Sequence, residues 1–461
     1  MTGFVRNSSA PGDPMTFDTD AAATSSVGSR SNPVAGEVAI VGCGPSGCYT
    51  ALALRRLDPD VRITVFDARP TPFGLIRYGV APDHQGMKNV SRQFDRLFAS
   101  DGVEYVGNTT VGARLPLSVL EENFDIVVMA TGLPHDRPLS VPIDPEARVY
   151  GAGHVLRLLN GDPDSALRTN PPPPTLGSHV LIVGTGNVAM DVARLLCKSD
   201  AGFHGSDVDD EAREALQIRH VRHVAILSRG PRERVRWDPS MYSELCALPG
   251  VSIYLDGELD ERAASAGAES SDRRVRVDVH FNQIPTAIEN VRGQCVVRTR
   301  STLDPTGNET RTAREEFVHQ VDTVITAMGF VDGSAASAPS GERVVRVGGC
   351  SSGTLGNLAD NRSLARVAAQ QIADRLRGDS GRPGLDGIRH LLPPDFTTFE
   401  DWASVDRAEL ARARPKRVRA KFTSWQAMSA VIAESRRTSV CARPASRSSQ
   451  DHHPTARKDQ P

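Results

Sequence analysis

The sequence predicts an α/β chain made of two doubly wound halves, and three observations carry that prediction. Glu37 to Leu54, EVAIVGCGPSGCYTALAL, reads as an apolar strand, a glycine turn and a helix. His179 to Leu196, HVLIVGTGNVAMDVARLL, repeats the pattern with Gly184, Gly186 and Ala189. Each unit is followed by a second apolar strand, VRITVFD ending at Asp67 and VAILSRGPRER from Val224 to Arg234. Units of this kind are Rossmann-like dinucleotide-binding domains. Two of them in one chain predict two dinucleotides.

The residues of the first turn divide the work. Gly42 permits the tight turn, Gly44 lets a diphosphate approach the backbone, and Gly47 lets helix and strand pack closely. Pro45 opens the helix, whose unsatisfied N–H groups point at the anion. Asp67, at the end of the next strand, stands where a carboxylate holds ribose hydroxyls.

Composition narrows the class. A chain of 461 residues, 39% hydrophobic, is long enough for two or three cores. A net charge of -2 gives no global attraction to nucleic acid or anionic membrane. No apolar run approaches a membrane span and no hydrophobic signal core precedes residue 37, so a cytoplasmic protein is expected. The seven cysteines are odd in number and scattered, as in reduced proteins. Cys43 and Cys48 form a CxxxxC pair, but inside the glycine turn they read as packing residues. No CxxC and no cysteine–histidine spacing suggests a metal.

In chain order, residues 1–36 are aperiodic and expected to be disordered. Arg69 to Asn89, RPTPFGLIRYGVAPDHQGMKN, reads as a loop of defined shape rather than a helix or strand, and long loops in compact domains tend to be functional. Phe124 to Gly132, FDIVVMATG, is a buried strand whose terminal Gly132 brings backbone toward the first dinucleotide. A crossover ending in Pro171 to Pro174 leads to the second unit. Ala263 to Asp272 is expected as an exposed loop, and Val321 to Phe330 repeats the strand and glycine ending of 124–132. Arg343 to Asn357 adds a strand and a glycine-rich turn, followed by a helix from Ser363 to Leu376. From Glu434 onward the chain reads as a disordered tail.

The end of the second unit's second strand differs from that of the first. Instead of a carboxylate it carries Ser228 and Arg229, with Arg232, Arg234 and Arg236 close behind. A carboxylate repels a 2′-phosphate and guanidinium groups grip it, so the second cofactor reads as NADP.

These motifs resemble the adrenodoxin reductase type of ferredoxin–NADP reductase over roughly residues 37–433. The resemblance rests on VAIVGCGPSGCYTA, PFGLIRYGVAPDH, VVMATG, VGTGNVAMDVARLL, SRGP, the SEL of Ser243 to Leu245, and the RPKR of 414–417. It implies an FAD domain split by an inserted NADP domain. The implied limits are 37–133 and 327–378 for FAD, 134–326 for NADP, 379–433 for a C-terminal extension and 434–461 for the tail. Gly42, Gly44, Pro45, Ser46 and Gly47 would hold the FAD diphosphate and Asp67 its ribose. Gly74, Leu75 and Val80 would lie along the flavin with His84 and Asp83 beside it. Gly184, Gly186, Asn187 and Val188 would meet the NADP diphosphate, Arg229 and Arg232 its 2′-phosphate, and Glu244 would border the nicotinamide. Gly348, Gly349, Gly353, Thr354 and Leu355 would face both rings. The usual tryptophan of that turn is Gly349 here, and its basic pair is missing.

The activity so implied passes a hydride from NADPH to FAD and then single electrons to an acidic ferredoxin-like iron–sulfur protein. Arg232, Arg234 and Arg236, with the basic run 414–421, are the expected dock. Two other readings remain open: an NADPH oxidase or quinone reductase, and a flavoprotein that binds nucleotides without catalysis.

Overall fold

The computed structural model describes residues 36–169, 175–235, 237–264, 273–302, 315–333, 341–354, 358–376 and 381–442. The expected N-terminal tail, the 171–174 prolines, Arg236 and Leu355 lie outside them.

Runs of Val and Ile buried on both faces suit a parallel sheet covered by helices. They supply β1 (Glu37–Val41), β2 (Arg62–Phe66), β3 (Glu104–Val106) and β4 (Ile126–Met129). The short β5 (His135–Asp136) leaves this region. There follow β6 (Val149–Gly151), β7 (His179–Val183), β8 (His223–Leu227), β9 (Val251–Leu255), β10 (Glu258–Leu259) and β11 (Val275–His280). Three longer strands, β12 (Gln283–Val291), β13 (Gln294–Ser301) and β14 (Glu316–Val321), alternate polar and apolar residues. The last three are β15 (Thr323–Thr326), β16 (Phe330–Val331) and β17 (Val344–Arg346).

They assemble into two main sheets. The first has the order β17-β4-β1-β2-β3 and the second β10-β9-β11-β8-β7-β15-β6, with β12-β13-β14 as a separate antiparallel layer. β17 comes from far down the chain to pair in parallel with β4, while everything from β6 to β15 belongs outside the first sheet. The two passages between the sheets run side by side as the antiparallel ribbon β5–β16. Asp136 in that ribbon accepts the N–H groups of Gly153 (2.7 Å) and His154 (3.1 Å), which serves the uncapped start of the helix Ala152–Leu159.

In each sheet the chain order reverses beside the strand that precedes a glycine turn, β1 between β2 and β4, and β7 between β8 and β15. Ligands of open α/β sheets bind outside the carboxyl ends of the strands at such switch points. The two turns are stitched alike. Gly42 N–H donates to the Phe66 carbonyl (2.7 Å) and Gly184 N–H to the Leu227 carbonyl (3.0 Å).

Three segments differ from the sequence expectation. The loop 69–89 contains two short helices, Gly74–Tyr78 and Gln85–Lys88. Left-handed Phe73 and Gly74 (φ 78° and 43°) start the first, and Gly79 ends it, so the glycines that suggested a loop delimit a helical turn. The helix after the glycine-rich turn at 348–354 starts at Leu358 and runs to Arg375. The helix Trp425–Ala442 runs past Glu434, where a disordered tail was expected, because Met428 and Ile432 are buried in the core of the first sheet. Trp402 and Val405 of the helix Phe399–Ala411 enter the same core.

Candidate active site

Each glycine turn ends in a helix without a side-chain cap, Pro45–Leu57 after Gly44 and Asn187–Cys197 after Gly186. Pro45 takes the first helical position, where its missing N–H costs nothing. Gly42 (φ 110°) has no room for a side chain: a Cβ there would sit 2.5 Å from the Ala130 carbonyl oxygen. At Gly47 a Cβ would collide with the Gly42 carbonyl. At Gly44 it would meet no protein atom within 4 Å. The second turn repeats the contrast, since Gly184 (φ 120°) is crowded by the Ala327 carbonyl and Gly186 is open. Two glycines of the first turn thus have packing reasons inside the protein. The outward-facing one in each turn has a reason only if a ligand backs onto it.

The other predicted residues gather round the first turn. Gly74 abuts it, its ideal Cβ position being 3.2 Å from Gly44 Cα. Leu75 is partly exposed, and the Val80 N–H donates to its carbonyl (2.7 Å). Gly348 (φ 69°) leaves no space for a Cβ beside Ser46, whose hydroxyl donates to Asn361 Oδ1 (2.9 Å). Gly349 is buried at the start of the short helix Gly349–Ser352, whereas Gly353 and Thr354 stand exposed beyond it. Gly132 (φ 70°) opens on free space. Asp67 accepts the Cys43 N–H (2.7 Å) and the Arg69 N–H (2.8 Å), so it braces the turn with its own carboxylate. Burial pushes that carboxyl up, against the pull of those two N–H groups.

At the second turn, Asn187 Oδ1 accepts the Asp238 N–H (2.8 Å), and Val188 is half-buried against the core. Ser228 to Gly230 is fastened to the loop after β11: Ser228 N–H donates to the His280 carbonyl (2.8 Å) and Gln283 N–H to the Ser228 carbonyl (2.9 Å). Arg229, Arg232 and Arg234 are exposed, and their guanidinium groups meet no carboxylate among the described residues.

A charged cluster joins the segment after the helix Gly74–Tyr78 to the helix behind the second turn. His84 Nε2 lies 3.0 Å from Glu244 Oε2, and its Nδ1 lies 3.3 Å from Asp191 Oδ1 without a hydrogen bond. Arg194 donates to Asp191 (2.8 Å) and to Asp83, which also receives Lys198, and its Nε is 3.4 Å from Glu244. Burial raises the Asp83 carboxyl, but Arg194 and Lys198 outweigh it and hold the group below the usual range. Asp83 and His84 were expected as a pair beside the flavin. The structure separates their tasks: Asp83 is committed to two cations, and His84 carries the contact with Glu244.

Asp191, Arg194 and Lys198 were not singled out by the sequence reading. Asp191 and Arg194, three residues apart, share one face of an otherwise apolar helix that Lys198 terminates, and that signal was legible. A second missed cluster is buried. Lys88 Nζ donates to both oxygens of Asp207 (2.7 and 2.9 Å), and Lys421 Nζ reaches the same carboxylate (2.7 Å) and the Arg77 carbonyl (2.9 Å).

The basic run 414–421 corrects an expectation. Arg417 pairs with Asp210 (2.7 Å), Arg419 with Asp406 (2.6 Å), Arg414 with Glu211 (3.4 Å), and Lys421 is buried. As a solvated patch for an acidic partner, most of it is spent internally.

A family model described as pyridine nucleotide-disulphide oxidoreductase matches residues 36–341. The chain is similar to the cindoxin reductase of Citrobacter braakii, 34% identical over 84% of this chain and 88% of that one. It is similar to the NADPH-ferredoxin reductase FprA of Mycobacterium leprae, 26% identical over 82% and 94%. A solved structure of FprA from Mycobacterium tuberculosis in complex with NADPH shares the fold, with a TM-score of 0.74, 24% identity and coverage of 87% and 100%.

Proposed function

The chain belongs to the pyridine nucleotide-disulphide oxidoreductase family, and from that premise we propose that it takes a hydride from NADPH onto FAD and passes single electrons to a ferredoxin-type iron–sulfur protein. The relatives' names support this acceptor class, being cindoxin, ferredoxin and adrenodoxin reductases. One observation carries the cofactor assignment. Both turns present an open glycine at a helix N-terminus, yet one is followed by Asp67 and the other by Ser228 and three arginines that meet no carboxylate among the described residues. The residues therefore fit FAD at the first site and NADPH at the second.

When bound, FAD supplies the conversion of a two-electron hydride into single electrons. The chain supplies placement. The helix N-termini behind Gly44 and Gly186 hold the diphosphates, with Pro45, Ser46, Asn187 and Val188 shaping them. Asp67 holds its ribose while bracing the turn, and Arg229 with Arg232 clamps the 2′-phosphate. Gly74, Leu75, Val80 and Gly132, with the backbone of 348–354, would border the flavin. Glu244 and His84 hold or move a proton at His84 Nε2, and Asp83 acts through Arg194 as a positioning residue. We take residues 37–133 and 327–378 as the FAD half and 134–326 as the inserted NADP half. Arg234, which meets no carboxylate among the described residues, supports an acidic partner surface. Free cysteines at 43, 48, 197, 246, 295 and 350 support a cytoplasmic location.

The test is anaerobic titration of the yellow holoprotein. NADPH bleaches the flavin at far lower concentration than NADH; a preference for NADH overturns the arginine argument. Cytochrome c reduction with a ferredoxin present then outruns oxygen or quinone reduction alone. The exposed turn at 351–354, without the family's usual tryptophan, is the observation that favours a different acceptor. Fast turnover without any iron–sulfur carrier would establish that second reading.

A further inference from the structure

A groove runs along the outside of the first half, between the helices Pro45–Leu57 and Leu358–Arg375. It encloses about 320 Å³, and a second lobe continues it toward Ala359 and Ser363. Its walls are Leu52, Ala53 and Tyr49, and its rim carries Arg56, Arg362 and Arg366. All three arginines are exposed, and none meets an acceptor among the described residues.

Other arginines of the chain are answered within the protein. Arg62, Arg69, Arg77, Arg157, Arg194, Arg213, Arg262, Arg276 and Arg417 each sit against a carboxylate. Arg362 and Arg366 are four residues apart on one helix face, so like charges are held side by side, which disfavours the helix unless an anion lies between them. Arg56 from the facing helix converges on the same space. Apolar walls with a few convergent charged groups, at the lower end of the usual ligand-pocket volume of about 300–1,000 Å³, are what a small amphipathic ligand requires.

We propose that this groove is a binding site for a small amphipathic anion, a carboxylate borne on an apolar body, with its charge between Arg362 and Arg366 and its body against Leu52 and Ala53. A bare anion would leave the walls wetted, and an uncharged amphiphile would leave the arginines unanswered. The site is also joined to the nucleotide turn. Asn361, next to Arg362, accepts the Ser46 hydroxyl at 2.9 Å, so the groove wall and the first glycine turn share a hydrogen bond.

The experiment uses the FAD-loaded full chain with saturating NADP, and 8-anilinonaphthalene-1-sulfonate as fluorescent probe. One saturable probe site is expected, displaced by dodecanoate but by neither dodecanol nor inorganic phosphate. The R362E/R366E variant should weaken probe binding at least about tenfold, equivalent to 1.4 kcal/mol. A53F, which fills the apolar wall without changing charge, should abolish it. Flavin absorbance and melting temperature, unchanged in both variants, show that the fold is intact. Displacement by phosphate as well as by dodecanoate, or unchanged probe binding in both variants, overturns the proposal. So does displacement by polyglutamate and not by dodecanoate, which would assign the groove to an acidic polypeptide.

Discussion

Gly44 and Gly47 lie three residues apart and respond to the same mutation in opposite ways. A methyl at position 47 has nowhere to go against the Gly42 carbonyl, so Gly47→Ala should destabilise the apoprotein by about 1–3 kcal/mol or more, read as a lowered Tm. A methyl at position 44 points into space that the protein leaves open, so Gly44→Ala should keep the apoprotein's Tm and lower the flavin-to-protein absorbance ratio after dialysis. His319 gives a pH dependence. Burial, with His280 beside it, holds its imidazole down at about 4 from an ordinary 6.5. The folded state refuses a proton that the unfolded chain accepts, so stability falls as pH drops from 6.5 toward 4, by at most about 1.4 kcal/mol per pH unit. His319→Gln should flatten that part of the stability–pH curve in urea titrations. At this scale the sequence spoke well where backbone geometry dictates the residue, as at Gly42 and Gly47. It spoke poorly for side chains with two possible partners. Nothing in the string PDH tells which of Asp83 and His84 turns toward Arg194 and which toward Glu244, because that choice is made by a helix more than 100 residues away.

Among elements, the C-terminal extension shows how charge can mislead a sequence reading. RPKRVRAK looks like a solvated basic ribbon, yet its acids come from other parts of the chain. Asp210 lies on a distant helix, Asp406 and Glu409 on the helix just before it, and Asp207 in a buried turn. Glu409 is fully buried and receives Arg77 through two bonds (2.9 and 2.6 Å), Arg419 (3.2 Å) and the Phe422 N–H (2.9 Å). Removing one partner of such a pair strands the other charge without solvent. Glu409→Ala should therefore cost about 3–5 kcal/mol, measured by denaturant unfolding. Exchanging the exposed Arg414 for Ala should change stability by less than about 1 kcal/mol. The parallel strands were easier to read, since runs such as VAIV and VLIV are buried whichever way the sheet is viewed. The two helices within 69–89 were hidden because each is too short to display a period.

At the scale of the whole molecule, the exposed arginines after β8 project charge into solvent while the net charge of the chain is only -2. Reversal at Arg234, outside the 2′-phosphate clamp, should lower the association rate with an acidic iron–sulfur carrier and flatten its salt dependence, while reduction of small quinones should change much less. Stopped-flow rates at two ionic strengths check this. One topological feature bears on the birth of the molecule. β4 must wait for β17 as its outer neighbour, and the core beneath it also waits for Trp402, Met428 and Ile432. At about 5–20 residues per second, the interval between β4 and β17 on the ribosome lasts roughly ten to forty seconds. During that time the nascent chain carries an unsealed sheet edge, and the inserted half folds while its host is still open. Biosynthesis of this protein therefore has a vulnerable window, in which the edge of β4 is open to pairing with another chain.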